Sequence, residues 1–249
     1  MPSSAPSNKH RGHRPRQLAL AVVLATMFAP PVSGQTTVPG SANPNLAGRL
    51  SGYTCCSGDA VSGQAPPFIT VTAGSFLTFS VTGAVDYGGN PVSGNNPDGN
   101  EAGSLTNYGD GLSAPLNVRY NALFGVFLGT NSPTGNTTPA QLDFVGGLNF
   151  ATLAPGLGQI FFIGDGLTTD TNLGQFNGTS QLFTTPTGAT RLFFGTGDGF
   201  GWYNNSGSFT VTVTSSTPGT TVPEPSTYTL VATGLAGLFA VRRRRRSAK

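Results

Sequence analysis

The loop at residues 197–209 has the highest density of side chains that could do chemistry. Asp198 offers a carboxylate, Asn204 and Asn205 offer amide oxygens, and the glycines around them free backbone carbonyls to turn inward. Carboxylate, amide and carbonyl oxygens are the ligands that Ca²⁺ takes in proteins, so this stretch fits a calcium loop. It also fits an Asx-rich turn that needs no metal, and composition alone favours that turn.

Other carboxylates give weaker candidates. Gly-Asp-Gly recurs around Asp110 and Asp165, where the Asp-Gly pair is either a metal-proximal turn or, more usually, only a tight turn. Asp98 with Glu101, and Asp165 with Asp170, are the pairs available for glycosidase chemistry. Nothing in the sequence sets their separation or raises the pKa of one member, so we expect solvated acids in surface loops.

The charge distribution excludes several classes of function. The chain has 249 residues and a formal charge of +3, but ten of its thirteen Lys and Arg lie before residue 17 or after residue 241. The stretch between them has three Arg and all ten acids, a net charge of −7, and contains no Lys and no His. A Ser-His-Asp triad, His-ligated zinc and a Schiff-base lysine are therefore excluded there. No basic patch is present for binding nucleic acid.

The two cysteines, Cys55 and Cys56, are adjacent in the chain. In an exported protein they pair either with each other or with another chain, and a structural vicinal disulfide is the favoured alternative. A catalytic cysteine lacks a His partner here.

The first 34 residues have the pattern of a secretory signal peptide. A basic region ends at Arg16, an apolar helical run follows at residues 18–29, and small residues lead to a cleavage site after Gly34. An uncleaved membrane anchor is the alternative, but the apolar run is short for a span.

The C-terminal segment has three parts in a fixed order. A linker at residues 215–222 precedes a tail at residues 223–249, which contains Pro223-Glu224-Pro225, an apolar helix at residues 228–241 and five arginines at residues 242–246. The arginines resist translocation, so the residues alone predict a short hydrophobic helix with a cytoplasmic stop. A plain tail anchor has the same physical features.

This order of elements resembles the PEP-CTERM sorting signal of Gram-negative bacteria. The resemblance rests on Pro223, Glu224 and Pro225, on the apolar helix, and on the arginine cluster that includes Arg242, Arg243 and Arg244. It implies export across the inner membrane, transient anchoring there, processing by an exosortase, and an association with exopolysaccharide or biofilm producers.

The body of the chain has the pattern of β-strands. Runs rich in β-branched and aromatic residues are separated by Gly, Pro, Asn and Asp, and no long helical period appears. Residues 76–82 and 208–214 alternate, with Phe209, Val211 and Val213 expected on the inner face. We predict an all-β, antiparallel sandwich, jelly-roll-like or galactose-binding-like, at residues 67–214, after a loosely ordered lead-in at residues 35–66.

The sequence Asn-Asn-Ser-Gly-Ser-Phe at residues 204–209 resembles the calcium loop of bacterial galactophilic lectins. The weaker resemblance of the whole body covers residues 64–214. It implies side-chain calcium ligands at Asp198, Asn204 and Asn205, with backbone carbonyls from Tyr87 and from the region of Gly201.

The same resemblance implies a carbohydrate site beside the calcium. Trp202 and Tyr203 are then candidates to stack on a sugar, with Asn204 as a further contact. Two features depart from the family: the stretch from Asp198 to Asn204 is one residue shorter, and the His-Pro pair that contacts sugar has no His here. Calcium binding is thus better supported than galactose binding.

Three functions follow, in order of preference. The first is a non-catalytic, exported surface or matrix protein that binds polysaccharide or another glycan through calcium. The second is a structural matrix or surface protein in which calcium, if bound, only stabilises a loop. The third is a hydrolase, which requires two carboxyl groups at glycosidase spacing in a cleft and a raised pKa on one of them.

Overall fold

Eleven β-strands carry the described part of the chain. The computed structural model describes residues 32–56, 63–88, 96–168 and 178–216. The strands are, in chain order, β1 (Val32–Pro39), β2 (Phe68–Thr70), β3 (Phe76–Asp86), β4 (Glu101–Gly103), β5 (Val118–Tyr120), β6 (Leu123–Leu128), β7 (Thr152–Leu153), β8 (Ile160–Phe162), β9 (Leu182–Thr184), β10 (Arg191–Thr196) and β11 (Ser206–Ser216). Two single-turn 3-10 helices lie at Pro44–Leu46 and Trp202–Asn204. The predicted all-β class is confirmed.

A five-stranded sheet has the order β1-β11-β3-β9-β7. Its two longest strands, β3 and β11, pair antiparallel along their whole length, from Asp86 opposite Ser206 to Phe76 opposite Ser216. Phe209, Val211 and Val213 are buried, as their alternation with threonine predicts. β7 pairs with β9 in parallel, so the sheet is mixed, whereas the sequence analysis expected antiparallel pairing throughout.

A four-stranded antiparallel sheet, β2-β10-β6-β8, supplies the other half of the core. Phe79 of β3 meets Phe194 of β10 edge-on, with ring centroids 6.2 Å apart, so the two sheets contact each other directly. The opposite face of this sheet is buried in a second apolar cluster, which contains Phe124 and Phe162. Burial on both faces explains why β6 is an unbroken apolar run instead of an alternating one.

Residues 35–66 were expected to be a loose lead-in, and the structure places much of that segment in the fold. β1 pairs with β11 from Val32 to Pro39, and the side chain of Val38 is fully buried. The 3-10 helix at Pro44–Leu46 is buried as well. The strand was missed because backbone pairing holds it, and its short polar sequence lacks an alternating apolar pattern.

The predicted terminal helices lie outside the described residues, apart from the last three residues of the predicted signal peptide, which belong to β1. The linker at residues 215–222 also falls outside except for its first two residues, which end β11. In the part of the chain that the structure describes, no helix is long and apolar enough to cross a membrane.

The two ends of the described domain lie side by side. Because β1 and β11 are antiparallel, Val32 lies opposite Ser215, so both terminal segments leave from one end of the sandwich, here called the tail end. The loop at residues 197–205 enters β11 at Ser206, at the opposite end, here called the site end. Eleven extended residues separate the two ends by about 33 Å.

Replacing Val38 by Ala tests whether the segment before β2 belongs to the domain. Since the side chain is fully buried against both sheets, we expect a loss of about 2 kcal/mol in the free energy of unfolding. Thr37→Val is the matched control, because Thr37 is exposed on the same strand and should change stability by less than about 0.5 kcal/mol. Equal denaturation midpoints for Val38→Ala and the unaltered chain would restore the lead-in interpretation.

Candidate functional site

The 197–205 loop connects β10 to β11 and is held from the inside. The indole of Trp202 is fully buried, and its Nε1–H donates to the carbonyl oxygen of Thr196 over 2.9 Å. Gly201 precedes the 3-10 helix with φ of 90°, a left-handed conformation that glycine adopts without strain. The loop is therefore anchored by a buried aromatic ring and redirected by one glycine.

Asp198 and Asn204 contribute oxygen atoms to this loop. The side chain of Asp198 is 6% exposed, and its Oδ1 accepts a hydrogen bond from the Phe200 N–H over 3.3 Å. The Asn204 side chain is exposed, and its backbone N–H donates to the Gly201 carbonyl over 3.0 Å. That carbonyl keeps a second lone pair, so the internal bond leaves it able to accept another partner.

Asn205 has a side chain whose hydrogen-bonding capacity is only partly satisfied. Its Nδ2 donates to the carbonyl oxygen of Gly40 over 3.2 Å, which ties the end of the loop to the end of β1. Its Oδ1 is buried and has no hydrogen-bond partner. A buried acceptor without a donor costs about 1–3 kcal/mol, so this oxygen favours a cation or an ordered water beside it.

The structure brings Tyr87 to the same end of the sandwich. Tyr87 follows Asp86, which pairs with Ser206, the residue after Asn205. The ring of Tyr87 meets that of Tyr120 edge-on, with centroids 6.0 Å apart. Tyr87, Gly201 and the three side-chain candidates thus lie around one end of the β3–β11 pair.

The candidate donors are all oxygen atoms, which suit hard cations such as Ca²⁺, Mg²⁺ and Mn²⁺. Within residues 32–56, 63–88, 96–168 and 178–216, no three His, Cys, Asp or Glu side chains group together as a metal site. A cation at the 197–205 loop would have to rely on one carboxylate together with amide and carbonyl oxygens. Ca²⁺ accepts such a mixed set of neutral and charged oxygens.

Trp202 cannot be the sugar-stacking residue, contrary to the sequence prediction. Its ring is fully buried, and a Cβ atom placed on Gly63 would lie 2.6 Å from the Trp202 Cβ, which shows how closely the chain covers it. Tyr203 is 54% exposed, so its predicted role is open to test. Phe200 is 69% exposed and was missed, because a phenylalanine between two glycines shows no periodicity that reveals its direction.

Asp98 and Asp165 are buried together, although the sequence analysis expected solvated acids. They are 3% and 4% exposed, and the backbone N–H of Asp165 donates to Asp98 Oδ1 over 2.9 Å. Burial raises the pKa of Asp98, and burial followed by the charge of Asp98 raises the pKa of Asp165 to about 6. Their burial leaves no open access to a substrate, so this pair does not support the hydrolase alternative.

For neither carboxylate pair that the sequence suggested, Asp98 with Glu101 or Asp165 with Asp170, does the structure describe both side chains. Asp170 lies outside the described residues, and Glu101 is described only as the first residue of β4. The sequence did not predict the Asp98–Asp165 contact, because this contact joins two loops that are far apart in the chain.

Asp110 is engaged in structural contacts, which corrects its candidacy as a metal-proximal residue. Its Oδ2 lies 2.7 Å from Arg49 Nη1 and accepts from the Tyr53 hydroxyl, and its Oδ1 accepts from the Gly135 N–H. The Gly135 N–H, followed by the Tyr53 hydroxyl, lowers the pKa of Asp110. Both oxygens are thus committed to joining three segments of the chain.

Cys55 and Cys56 are joined to each other by a disulfide. Asn43 Nδ2 donates to both sulfur atoms, at 3.5 Å and 3.4 Å. The pair therefore lies against the buried segment that caps the 3-10 helix at Pro44–Leu46, and its position is structural.

Comparison with known proteins identifies the C-terminal tail. Residues 221–245 match the PEP-CTERM protein-sorting motif, a stretch that contains Pro223, Glu224, Pro225 and the arginines at positions 242–244. The motif indicates an exported protein sorted by an exosortase, with membrane-linked processing in a Gram-negative bacterium. No curated protein and no solved structure matches the chain significantly, so the resemblance of the body to galactophilic lectins stays a prediction.

The Asp98–Asp165 pair predicts a stability that depends on pH. Because the pKa of Asp165 is raised from 3.8 to about 6 in the folded state, stability should be highest below about pH 4 for this group and fall as the pH rises to about 6. Asp165→Asn imitates the protonated form, so its denaturation midpoint should exceed that of the unaltered chain at pH 7 and equal it near pH 3.5.

Urea denaturation across that pH range measures the effect. Asp143→Asn is the matched control, since Asp143 is exposed, and it should follow the unaltered chain at every pH. Midpoints of Asp165→Asn that run parallel to those of the unaltered chain from pH 3.5 to 7 would contradict a shared burial penalty.

Proposed function

We propose that this chain is an exported, exosortase-processed protein of the cell surface or extracellular matrix, whose β-domain binds carbohydrate in a calcium-dependent manner alongside exopolysaccharide. The export and sorting part is supported by the motif at residues 221–245. The observation that carries the binding part is the buried, unpartnered Oδ1 of Asn205 in the same loop as Asp198.

Calcium would be held by hard oxygens at the site end. The carboxylate of Asp198 supplies the negative charge, and the amide oxygens of Asn204 and Asn205 add neutral ligands. The carbonyls of Tyr87 and Gly201 are the backbone candidates. A calcium ion with an open position binds sugar hydroxyls directly, because these are hard neutral oxygens like the amide ligands.

The orientation of the domain supports a role away from the membrane. The sorting tail follows β11 at the tail end, whereas the 197–205 loop lies about 33 Å away at the site end. While the apolar helix anchors the chain in the inner membrane, the site end is free to face the periplasm or, after export, the matrix.

A second candidate function has its own supporting observation. Asp198 is nearly buried, and the Asn205 amide is directed toward Gly40 in the interior. A cation enclosed by these atoms has no position left for a sugar hydroxyl. The domain would then be a structural matrix or surface protein in which calcium only stabilises the loop.

Asp198→Asn tests calcium ligation. The variant keeps an oxygen for the Phe200 N–H and removes the charge, so it should abolish most of the gain in melting temperature that the unaltered full-length protein shows in calcium. That gain corresponds to about 2.7 kcal/mol when free calcium is 100 times its dissociation constant. Asp143→Asn, at an exposed aspartate outside the loop, should keep the whole gain.

The same measurement is made in chelator, where the three proteins should melt within a few degrees of each other. If calcium leaves the melting temperature of the unaltered protein unchanged, the calcium claim is wrong. If calcium stabilises the protein but no glycan of an array is bound in its presence, the structural alternative is favoured.

Replacing Pro223, Glu224 and Pro225 together by alanine tests the sorting signal. We expect a longer, membrane-retained product in the native host, because the exosortase no longer recognises the tail. Thr220→Ala, just outside the matched motif, is the control and should be processed normally. Immunoblots of membrane and released fractions measure the outcome, and unchanged processing of the triple variant would count against exosortase handling.

A further inference from the structure

We infer that the exposed rings of Phe200 and Tyr203, together with Tyr87, form a stacking surface for the pyranose rings of a neutral polysaccharide. The inference rests on the proposed carbohydrate-binding function and deepens it. It assigns the sugar contact to Phe200 and extends the contact surface to Tyr87, and it removes Trp202 from that role.

The loop is fixed in a way that keeps Phe200 at the surface. The carbonyl oxygen of Gly199 accepts hydrogen bonds from the Thr106 hydroxyl and from the Tyr108 hydroxyl, both at 3.2 Å. The N–H of Phe200 itself is bonded to Asp198. Because these hydrogen bonds fix the backbone at Gly199 and Phe200, the loop conformation itself keeps the Phe200 side chain 69% exposed.

The second ring lies just after the glycine that turns the chain. Tyr203 follows the buried Trp202 in the 3-10 helix, and it is 54% exposed whereas Trp202 is fully buried. Trp202 and Tyr203 thus lie on opposite sides of the loop surface, one in the core and one in contact with solvent. Two large aromatic side chains are consequently exposed within four residues of one another, on either side of the left-handed Gly201.

Tyr87 extends the aromatic surface across to β3. Its ring contacts Tyr120, and a Cβ atom placed on Gly199 would lie 3.7 Å from the Tyr120 hydroxyl oxygen. Tyr120 therefore connects Tyr87 to the residue that precedes Phe200. Tyr87 remains 37% exposed at the edge of this group.

A pyranose matches this combination of groups. It has an apolar face of C–H groups that packs on an aromatic ring, and a rim of hydroxyls that need hydrogen-bond partners. Asn204 and Tyr203, both exposed and adjacent in the 3-10 helix, carry groups that can act as such partners. Aromatic rings that carry a polar tip suit a ligand that is apolar on one side and wet on the other.

Charge and position favour a neutral polymer over an anionic one or a membrane. Asp86, Asp98, Asp165 and Asp198 all lie at the site end, and Arg119 is near Asp98. Arg191 begins β10 at the opposite end. Asp98, Asp165 and Asp198 are nearly buried, and bound calcium would offset the charge of Asp198, so it is the shortage of basic side chains that disfavours an anionic ligand. Among the described residues Arg119 is the only basic side chain at the site end, since Arg49 is paired with Asp110, so a polyanion or an anionic membrane finds little positive charge there. The site end also lies about 33 Å from the point where the described part of β11 ends.

The experiment compares Phe200→Ala/Tyr203→Ala with the unaltered full-length protein by affinity electrophoresis in calcium. The gels contain dextran, mannan or galactomannan as neutral polymers, or alginate as an acidic one. Binding to phosphatidylglycerol vesicles is measured separately by sedimentation. We expect at least one neutral polymer to retard the unaltered protein, and the double variant to bind it about tenfold more weakly. Val145→Ala, which trims another highly exposed apolar side chain, is the matched control and should bind normally.

Two further measurements distinguish the loss of the stacking surface from a general loss of the calcium site. The double variant should retain the melting-temperature gain in calcium, because neither ring is a proposed ligand. Phe200→Tyr, which keeps both rings and the Tyr203 hydroxyl, should bind the polymer as the unaltered protein does.

Each remaining outcome overturns a different claim. If the double variant binds the neutral polymer as well as Val145→Ala does, the stacking surface is wrong, and calcium-dependent carbohydrate binding stands. If the unaltered protein binds none of the polymers, both the stacking surface and carbohydrate binding are wrong. Binding to alginate or to the vesicles alone identifies an anionic partner and overturns the inference.

Discussion

The antiparallel pairing of β3 with β11 is the interaction on which the rest of the structure depends. It runs unbroken over eleven residues of each strand, and β1 and β9 attach to its two sides. Its inward side chains form the centre of the core that meets the second sheet. At one end of this strand pair, β11 leads into the segment that carries the sorting motif. At the other end, the pair supports Tyr87 and the 197–205 loop. The β3–β11 ladder thereby separates the end that leads to the sorting motif from the end that carries the candidate site.

Sequence reasoning succeeded where local pattern and burial coincide. Phe209, Val211 and Val213 alternate with threonine, and one face of a pleated strand buries such residues whatever its partner is. It failed for β1, whose place is set by hydrogen bonds to β11, since backbone pairing between residues 169 to 183 positions apart leaves no mark in a short polar sequence. The class of fold was therefore predictable, but the extent of the domain was not.

The candidate site was predictable in part for a related reason. The Asp198, Asn204 and Asn205 pattern is local, and the turn at Gly201 keeps those residues in one loop. The direction of each side chain depends on what packs behind the loop. Trp202 is buried, where the Thr196 carbonyl accepts its N–H, whereas Phe200 and Tyr203 are exposed. Neighbouring aromatic residues look equivalent in a sequence, and only the tertiary packing behind the loop distinguishes them.

Several polar groups that cost stability lie at the site end. Asp98 and Asp165 are both buried there, with the Asp165 N–H donating to Asp98 Oδ1, and Asn205 Oδ1, Asn121 Oδ1 and Arg119 Nη1 are buried without partners. Such groups lower the stability of a fold unless something neutralises or binds them. The apolar core and the long β3–β11 ladder supply stability that can offset this cost. Buried atoms without partners also occur elsewhere, at Gln181 before β9 and at Thr190 before β10, so an unsatisfied atom alone does not mark a site. Asn205 differs from these residues because its unsatisfied oxygen lies in the same loop as Asp198, and an oxygen kept available for a ligand cannot also be satisfied by the protein itself.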